Sequence, residues 1–135
     1  MAYIRCGGGG GLKETTLWTN PSPSSSLAGG DVTLSQGIAN FDLLKFTWRY
    51  STNDNTSIIT YVDVPTYRAN SKSASGAAGK GINPSCLIYT GSANYVRTCY
   101  YTSDTKTYIG VCGRVGSSGT SNTSVILESI KGIKL

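Results

Sequence analysis

Apolar residues, many of them β-branched or aromatic, recur along this chain in short runs that period two sorts onto faces. No window holds a sustained i, i+3, i+4 apolar pattern, so almost no helix is expected. Residues 86–115 are the clearest case and read as three antiparallel strands joined by two tight turns. The first turn is Tyr89-Thr90-Gly91-Ser92, where Gly91 takes φ > 0 without steric cost. The second is Thr102-Ser103-Asp104-Thr105, rich in side chains that bond their own backbone. Cys86, Cys99 and Cys112 recur every 13 residues, one per strand, a meander period and neither a metal nor a redox spacing. If the second turn centres on Ser103-Asp104, Cys99 lies opposite Tyr108 and Arg97 opposite Gly110. One face then carries Tyr95, Arg97, Cys99, Tyr101, Tyr108, Cys112 and Arg114. The other carries Val96, Thr98, Tyr100, Ile109, Val111 and Val115 and is the better core face.

Further strands are expected at 14–19, 31–34, 41–50, 57–64 and 125–135, the last kinked at Gly132. Residues 41–50 put Leu44, Phe46, Trp48 and Tyr50 on one apolar face, and 57–64 answer with Ile58, Thr60, Val62 and Val64. These two strands form a hairpin across the turn at Asn53-Asp54-Asn55. Trp48 continues an apolar face and so reads as a core plate. Leu17 and Trp18 cannot both point inward on a regular strand. Val125, Ile126, Leu127, Ile130 and Ile133 pose the same problem, so this apolar surplus suggests a subunit contact. Residues 1–13, with five successive glycines, read as a flexible tether, and 14–135 as the folded domain. Residues 65–84 form a long loop whose Gly76-Ala77-Ala78-Gly79-Lys80-Gly81 fails as a phosphate loop: its glycines are too close, and Gly81 stands where Ser or Thr must bind magnesium. The expected fold is all-β, an antiparallel sandwich, jelly-roll-like, with about eight strands.

Composition narrows the chemistry. Gly, Ser, Thr and Asn supply 59 of the 135 residues, yet only 14% are charged and 10% are aromatic, which favours a folded β domain over disorder. The formal charge of +5 comes from twelve basic residues spread along the chain, an ordinary basic surface and no nucleic-acid footprint. With no histidine, His-based triads, His metal sites and the usual neutral-pH base are missing. No cysteine has an imidazole to activate it, and the seven acids show no paired spacing. A non-catalytic protein without metal or cofactor is expected. No signal-peptide pattern and no membrane-spanning run appears. The cysteines are expected to be reduced, three of them in buried or half-buried strand positions.

The candidate ligand-binding residues are Tyr95, Arg97, Tyr101, Tyr108 and Arg114, with the 65–84 loop completing a groove. Sugar C–H faces stack on tyrosine, and sugar hydroxyls accept from the Arg fork. A neutral sugar suits a chain poor in acids, and an anionic one would use the arginines. The plain alternative is a solvated sheet face.

Thr16-Leu17-Trp18-Thr19-Asn20-Pro21-Ser22-Pro23, Asp31-Val32-Thr33-Leu34-Ser35, Asn40-Phe41-Asp42-Leu43-Leu44-Lys45-Phe46 and the closing Ile130-Lys131-Gly132-Ile133-Lys134 resemble C-terminal head domains of tail-fibre or minor structural proteins of phages and prophages of Gram-positive gut bacteria. The resemblance covers about residues 14–135. It implies a β-sandwich or jelly-roll head, a homotrimer, residence in the virion, and binding of a host cell-surface glycan. A purely structural tail module and a free-standing carbohydrate-binding module stand as alternatives.

Overall fold

A computed structural model describes residues 12–52, 56–69 and 83–135. The glycine tether with Cys6, the turn at Asn53-Asp54-Asn55 and the glycine-rich part of the long loop lie outside the described residues. Among the described residues nine strands form in chain order: β1 (Lys13–Thr19), β2 (Gly30–Thr33), β3 (Leu43–Tyr50), β4 (Ser57–Asp63), β5 (Ser85–Tyr89), β6 (Asn94–Ser103), β7 (Lys106–Ile109), β8 (Gly113–Arg114) and β9 (Val125–Lys134). They build two antiparallel sheets, one ordered β1-β9-β3-β4, the other β2-β7-β6-β5 with β8 also on β6. The molecule is therefore an all-β sandwich. Strands distant in sequence pair, β1 with β9 and β2 with β7, while β3–β4 and β5–β6–β7 stay as local hairpins.

The first sheet follows the hydrophobic alternation. Leu44, Phe46 and Trp48 are fully buried, and Trp48 Nε1 donates to Thr60 Oγ1 at 2.8 Å, which satisfies the indole inside the sandwich. On β4, Val62 is buried while Ile59 and Tyr61 are exposed.

Two bulges turn most of the apolar surplus at the chain ends toward the core. The β1–β9 register slips between Thr16 and Trp18, so Leu17 is buried and Trp18 also packs on the core. The β9–β3 register slips where Thr47 faces Ser129 and Trp48 faces Leu127, leaving Glu128 as the extra residue. Val125, Ile126, Leu127, Ile130 and Ile133 are all buried within one chain, so the surplus no longer argues for a subunit contact. β9 runs unbroken through Gly132, which pairs with Thr15 on one side and Leu44 on the other. Glycine is needed there because a Cβ would lie 2.5–2.7 Å from the Phe41 ring.

The start of the long loop is a short helix, α1 (Val64–Arg68), where coil was expected. Asp63 caps it, accepting from Thr66 N at 3.0 Å, and Pro65 sits in the first turn, where its missing N–H costs nothing. The helix seats Tyr67 in the core, edge-on to Tyr101 at 5.9 Å and tilted against Phe46 at 5.8 Å, with its hydroxyl donating to Thr107 Oγ1 at 2.9 Å. Phe46 stacks on Trp48 in turn. An aromatic column thus runs from β3 through α1 to β6 and ties the two sheets together.

Candidate functional site

The three-strand meander forms as expected, with Gly91 at φ 92° in the first turn. Its faces are the reverse of those expected for β6. Cys99 pairs with Ile109, Tyr100 with Tyr108 and Tyr101 with Thr107, and the register then slips between Tyr101 and Ser103. The extra residue is Thr102. One inserted residue turns every side chain of the strand to the other side. Arg97, Cys99, Thr107 and Ile109 therefore point inward and are buried, with Tyr95 and Tyr101 packed against the core beside them. Val96, Thr98 and Tyr100 are only half-buried, and Val111 is 52% exposed, so of the expected core face only Ile109 is interior.

The five expected site residues do not come together. Tyr95 and Tyr101 belong to the core margin, where the Tyr101 hydroxyl donates to Asp104 Oδ1 at 3.0 Å. Arg97 is 0% exposed. Its Nη2 donates to the Leu27 carbonyl at 2.7 Å and to Asn122 Oδ1 at 3.1 Å, and Asn122 Oδ1 also accepts from Cys112 N at 3.3 Å. Arg97 thus staples two loops at one end of the sandwich, while its Nε and Nη1 find no hydrogen-bond partner among the described residues. Burial lowers the guanidinium pKa, an effect opposed by the adjacent Cys112 sulfur. Arg114 lies opposite Tyr95 on β8 and is exposed. Only Tyr108 keeps the half-exposed place on the sheet expected of it, and its partner there is Tyr100.

Three cysteines surround Arg97 on the inner face. Cys86 is its cross-strand neighbour on β5, Cys99 lies two residues along β6, and Cys112 follows β7. All three are buried and free. Burial raises each thiol pKa, that of Cys86 to about 11, and for Cys99 and Cys112 it outweighs the opposing pull of Arg97. At neutral pH they stay protonated and are poor nucleophiles. Among the described residues no group of three or more His, Cys, Asp or Glu side chains is arranged to hold a metal.

The outer face of the same strands carries a solvent-open groove of about 210 Å³, lined by Val96, Thr98, Tyr100, Tyr108, Gly110, Val111 and Gly113. The Tyr100 and Tyr108 rings stand 6.3 Å apart, inclined at 41°. Gly110 brings the backbone close, because a Cβ there would meet Thr98 O at 2.9 Å. Among the described residues no charged side chain lines the groove, and Leu87 and Tyr89 extend the exposed apolar surface along β5. Residue type held a signal for the missed parity: free cysteine is among the most buried residues, so a solvent face carrying both Cys99 and Cys112 was already improbable.

Behind the groove, the β6–β7 turn is fixed by Asp104, which accepts two hydrogen bonds from Arg68 of α1, one of them 3.0 Å from Nε. The guanidinium lowers the Asp104 pKa. Ile38 N donates to the Asp104 carbonyl at 2.9 Å, so the turn is held from two sides.

Compared with known proteins, the chain matches no protein-family model and no curated sequence.

Proposed function

We propose that this domain is a non-catalytic, glycan-binding head of a phage-like tail fibre, and that it takes a neutral sugar in the outer groove of β6–β8. The observation that carries the reading is the Tyr100–Tyr108 pair over an uncharged groove open to solvent. Tilted aromatic rings suit the C–H face of a pyranose, and the Thr98 and tyrosyl hydroxyls can exchange hydrogen bonds with its hydroxyls. At about 210 Å³ the groove is below the ~300–1,000 Å³ of drug-sized pockets, a fit for one ring. Among the described residues no cation lines the groove for an anionic sugar, because Arg97 is interior. The fibre assignment rests on the sequence resemblance, which the β-sandwich fits.

The test is a glycan array and host-cell adsorption with wild type, Tyr100→Ala/Tyr108→Ala and Gly113→Val. A Cβ at Gly113 meets nothing within 4 Å, so a larger side chain there starts from open space at the groove. Loss of roughly tenfold or more in binding at unchanged melting temperature supports the site. Unchanged binding by both folded variants excludes it.

A structural-module reading draws on a different surface. On the outer face of the first sheet, Ile59 and Tyr61 are 44% and 57% exposed, beside a groove lined by Leu12, Leu43, Tyr61 and Ile133. A homotrimer or a neighbouring virion protein would find its apolar contact there. Light scattering at tens of micromolar distinguishes a trimer from a monomer.

A further inference from the structure

A second groove, of about 290 Å³, is lined by Lys13 and Thr15 of β1, Lys134 of β9, and Gln36, Asn40 and Phe41 ahead of β3. The register sets Lys13 directly opposite Lys134. Like charges at opposed positions destabilise a strand pair. Elsewhere on this sheet lysines are neutralised: Lys45 and Lys131 share Glu14, at 2.9 and 3.7 Å. Lys13 has no such partner among the described residues, and no carboxylate lines the groove. The acid nearest Lys134 is Asp42, 3.5 Å from its Nζ, whose same Oδ2 accepts the Leu135 N–H at 2.8 Å. Beside the lysines, Asn40 Nδ2 donates to Gln36 Oε1 at 3.4 Å, which leaves the Gln36 N–H groups and the Asn40 carbonyl oxygen for a ligand.

We propose that this groove binds an oxyanion carried on a polyhydroxylated scaffold, a polyol phosphate or a uronic acid. The two ammonium groups take the charge as point donors. Gln36, Asn40 and Thr15 take the hydroxyls, and the Phe41 ring, packed against Gly132, offers an apolar wall to the carbon skeleton. This site is separate from the uncharged face of β6–β8, and Gly113→Val leaves it intact. The competing explanation is that these exposed lysines merely guard the edge strand β1 against pairing with another chain.

Thermal unfolding at constant ionic strength separates the two, with chloride as the control and inorganic phosphate, glycerol 3-phosphate and galacturonate as probes. Constant ionic strength keeps general screening equal across them. Glycerol 3-phosphate or galacturonate should give a saturable rise, roughly 5 °C at tenfold excess over Kd, and which of the two does so identifies the carrier. Lys13→Gln and Lys134→Gln should each abolish that rise, and Lys13→Gln, which breaks no ion pair among the described residues, should raise the midpoint in dilute chloride because repulsion is relieved. Gln36→Ala should weaken glycerol 3-phosphate or galacturonate more than inorganic phosphate. Equal midpoints in all four anions overturn the proposal, as does a rise that survives Lys13→Gln. A rise with inorganic phosphate alone, an adventitious ion only, overturns it too.

Discussion

Strands β3 and β6 occupy equivalent places, each with a strand on either side in its sheet, yet their sequences specify their faces very differently. On β3, Leu44, Phe46 and Trp48 alternate with Lys45, Thr47 and Arg49, so only one side can go inside. On β6, Tyr95, Arg97, Cys99 and Tyr101 alternate with Val96, Thr98 and Tyr100. Each side holds aromatic, small and polar members, and hydrophobicity alone barely chooses. The choice falls to the turn, where the bulge at Thr102 sends Arg97 inward and Tyr100 outward. The position of the bulge and the aromatic column through Tyr67 and Tyr101 are mutually consistent, because only the inward parity brings Tyr101 to Tyr67. A strand with strong binary patterning fixes its own parity; one without it takes parity from its turn and its neighbours.

Substitutions can break or sharpen this contrast. The largest effect is expected on β3: Trp48→Ala should cost about 3–5 kcal/mol in chemical denaturation, from lost burial and the cavity left behind. On the inner side of β6, Arg97→Ala should cost about 3 kcal/mol, through a cavity and the released Leu27 and Asn122 acceptors. Arg97→Met keeps the volume and removes a buried charge with two unpaired N–H groups, so it should lie within about 1 kcal/mol of wild type. If Arg97→Met proved as damaging as Arg97→Ala, the loop staple would outweigh the desolvation of the charge. One residue further on, Tyr100→Ala should shift stability by about 1 kcal/mol or less, as for a half-exposed position. An effect on Tyr100 as large as that on Trp48 would place its ring in the core.

The smallest effect is a pH dependence. The Arg68 guanidinium and the Tyr101 hydroxyl hold the Asp104 pKa below its ordinary value. Its contribution is therefore present above the unfolded carboxylate pKa, near pH 4, and is lost as pH falls through the lower folded value. Asp104→Asn should flatten the stability profile below about pH 4, lower stability at pH 7 by the small amount an exposed pair contributes, and converge with wild type in acid. An unchanged acid limb would mean that the Arg68 pair contributes nothing to holding the turn.

The sandwich, the hairpin β3–β4, the meander and the core role of Trp48 were legible because period-two patterning and turn chemistry are local signals. The bulges at Leu17, Glu128 and Thr102 were not, because a bulge is set by what the strand must meet across the sheet. Each bulge changed a conclusion: the first two turned Leu17, Trp18, Val125, Leu127 and Ile130 toward the core, and the third moved the candidate site from Tyr95, Arg97 and Tyr101 to Tyr100 and Tyr108. The helix α1 was legible in principle, since Asp63-Val64-Pro65-Thr66 is a capped start with proline in the first turn. Its five residues are too few for apolar periodicity to register. The Lys13–Lys134 pairing needs the register of strands at opposite ends of the chain, which no local pattern supplies.

The parity of β6 is tested most directly by thiol reactivity in the native protein, read peptide by peptide in a mass spectrometer after a brief exposure to N-ethylmaleimide. With Arg97, Cys99 and Cys112 facing inward, Cys99 and Cys112 should stay unmodified until the domain unfolds and then react together in denaturant. Rapid labelling of both in native buffer would contradict it, return Tyr95, Arg97 and Tyr101 to the solvent face, and remove the Tyr100–Tyr108 groove.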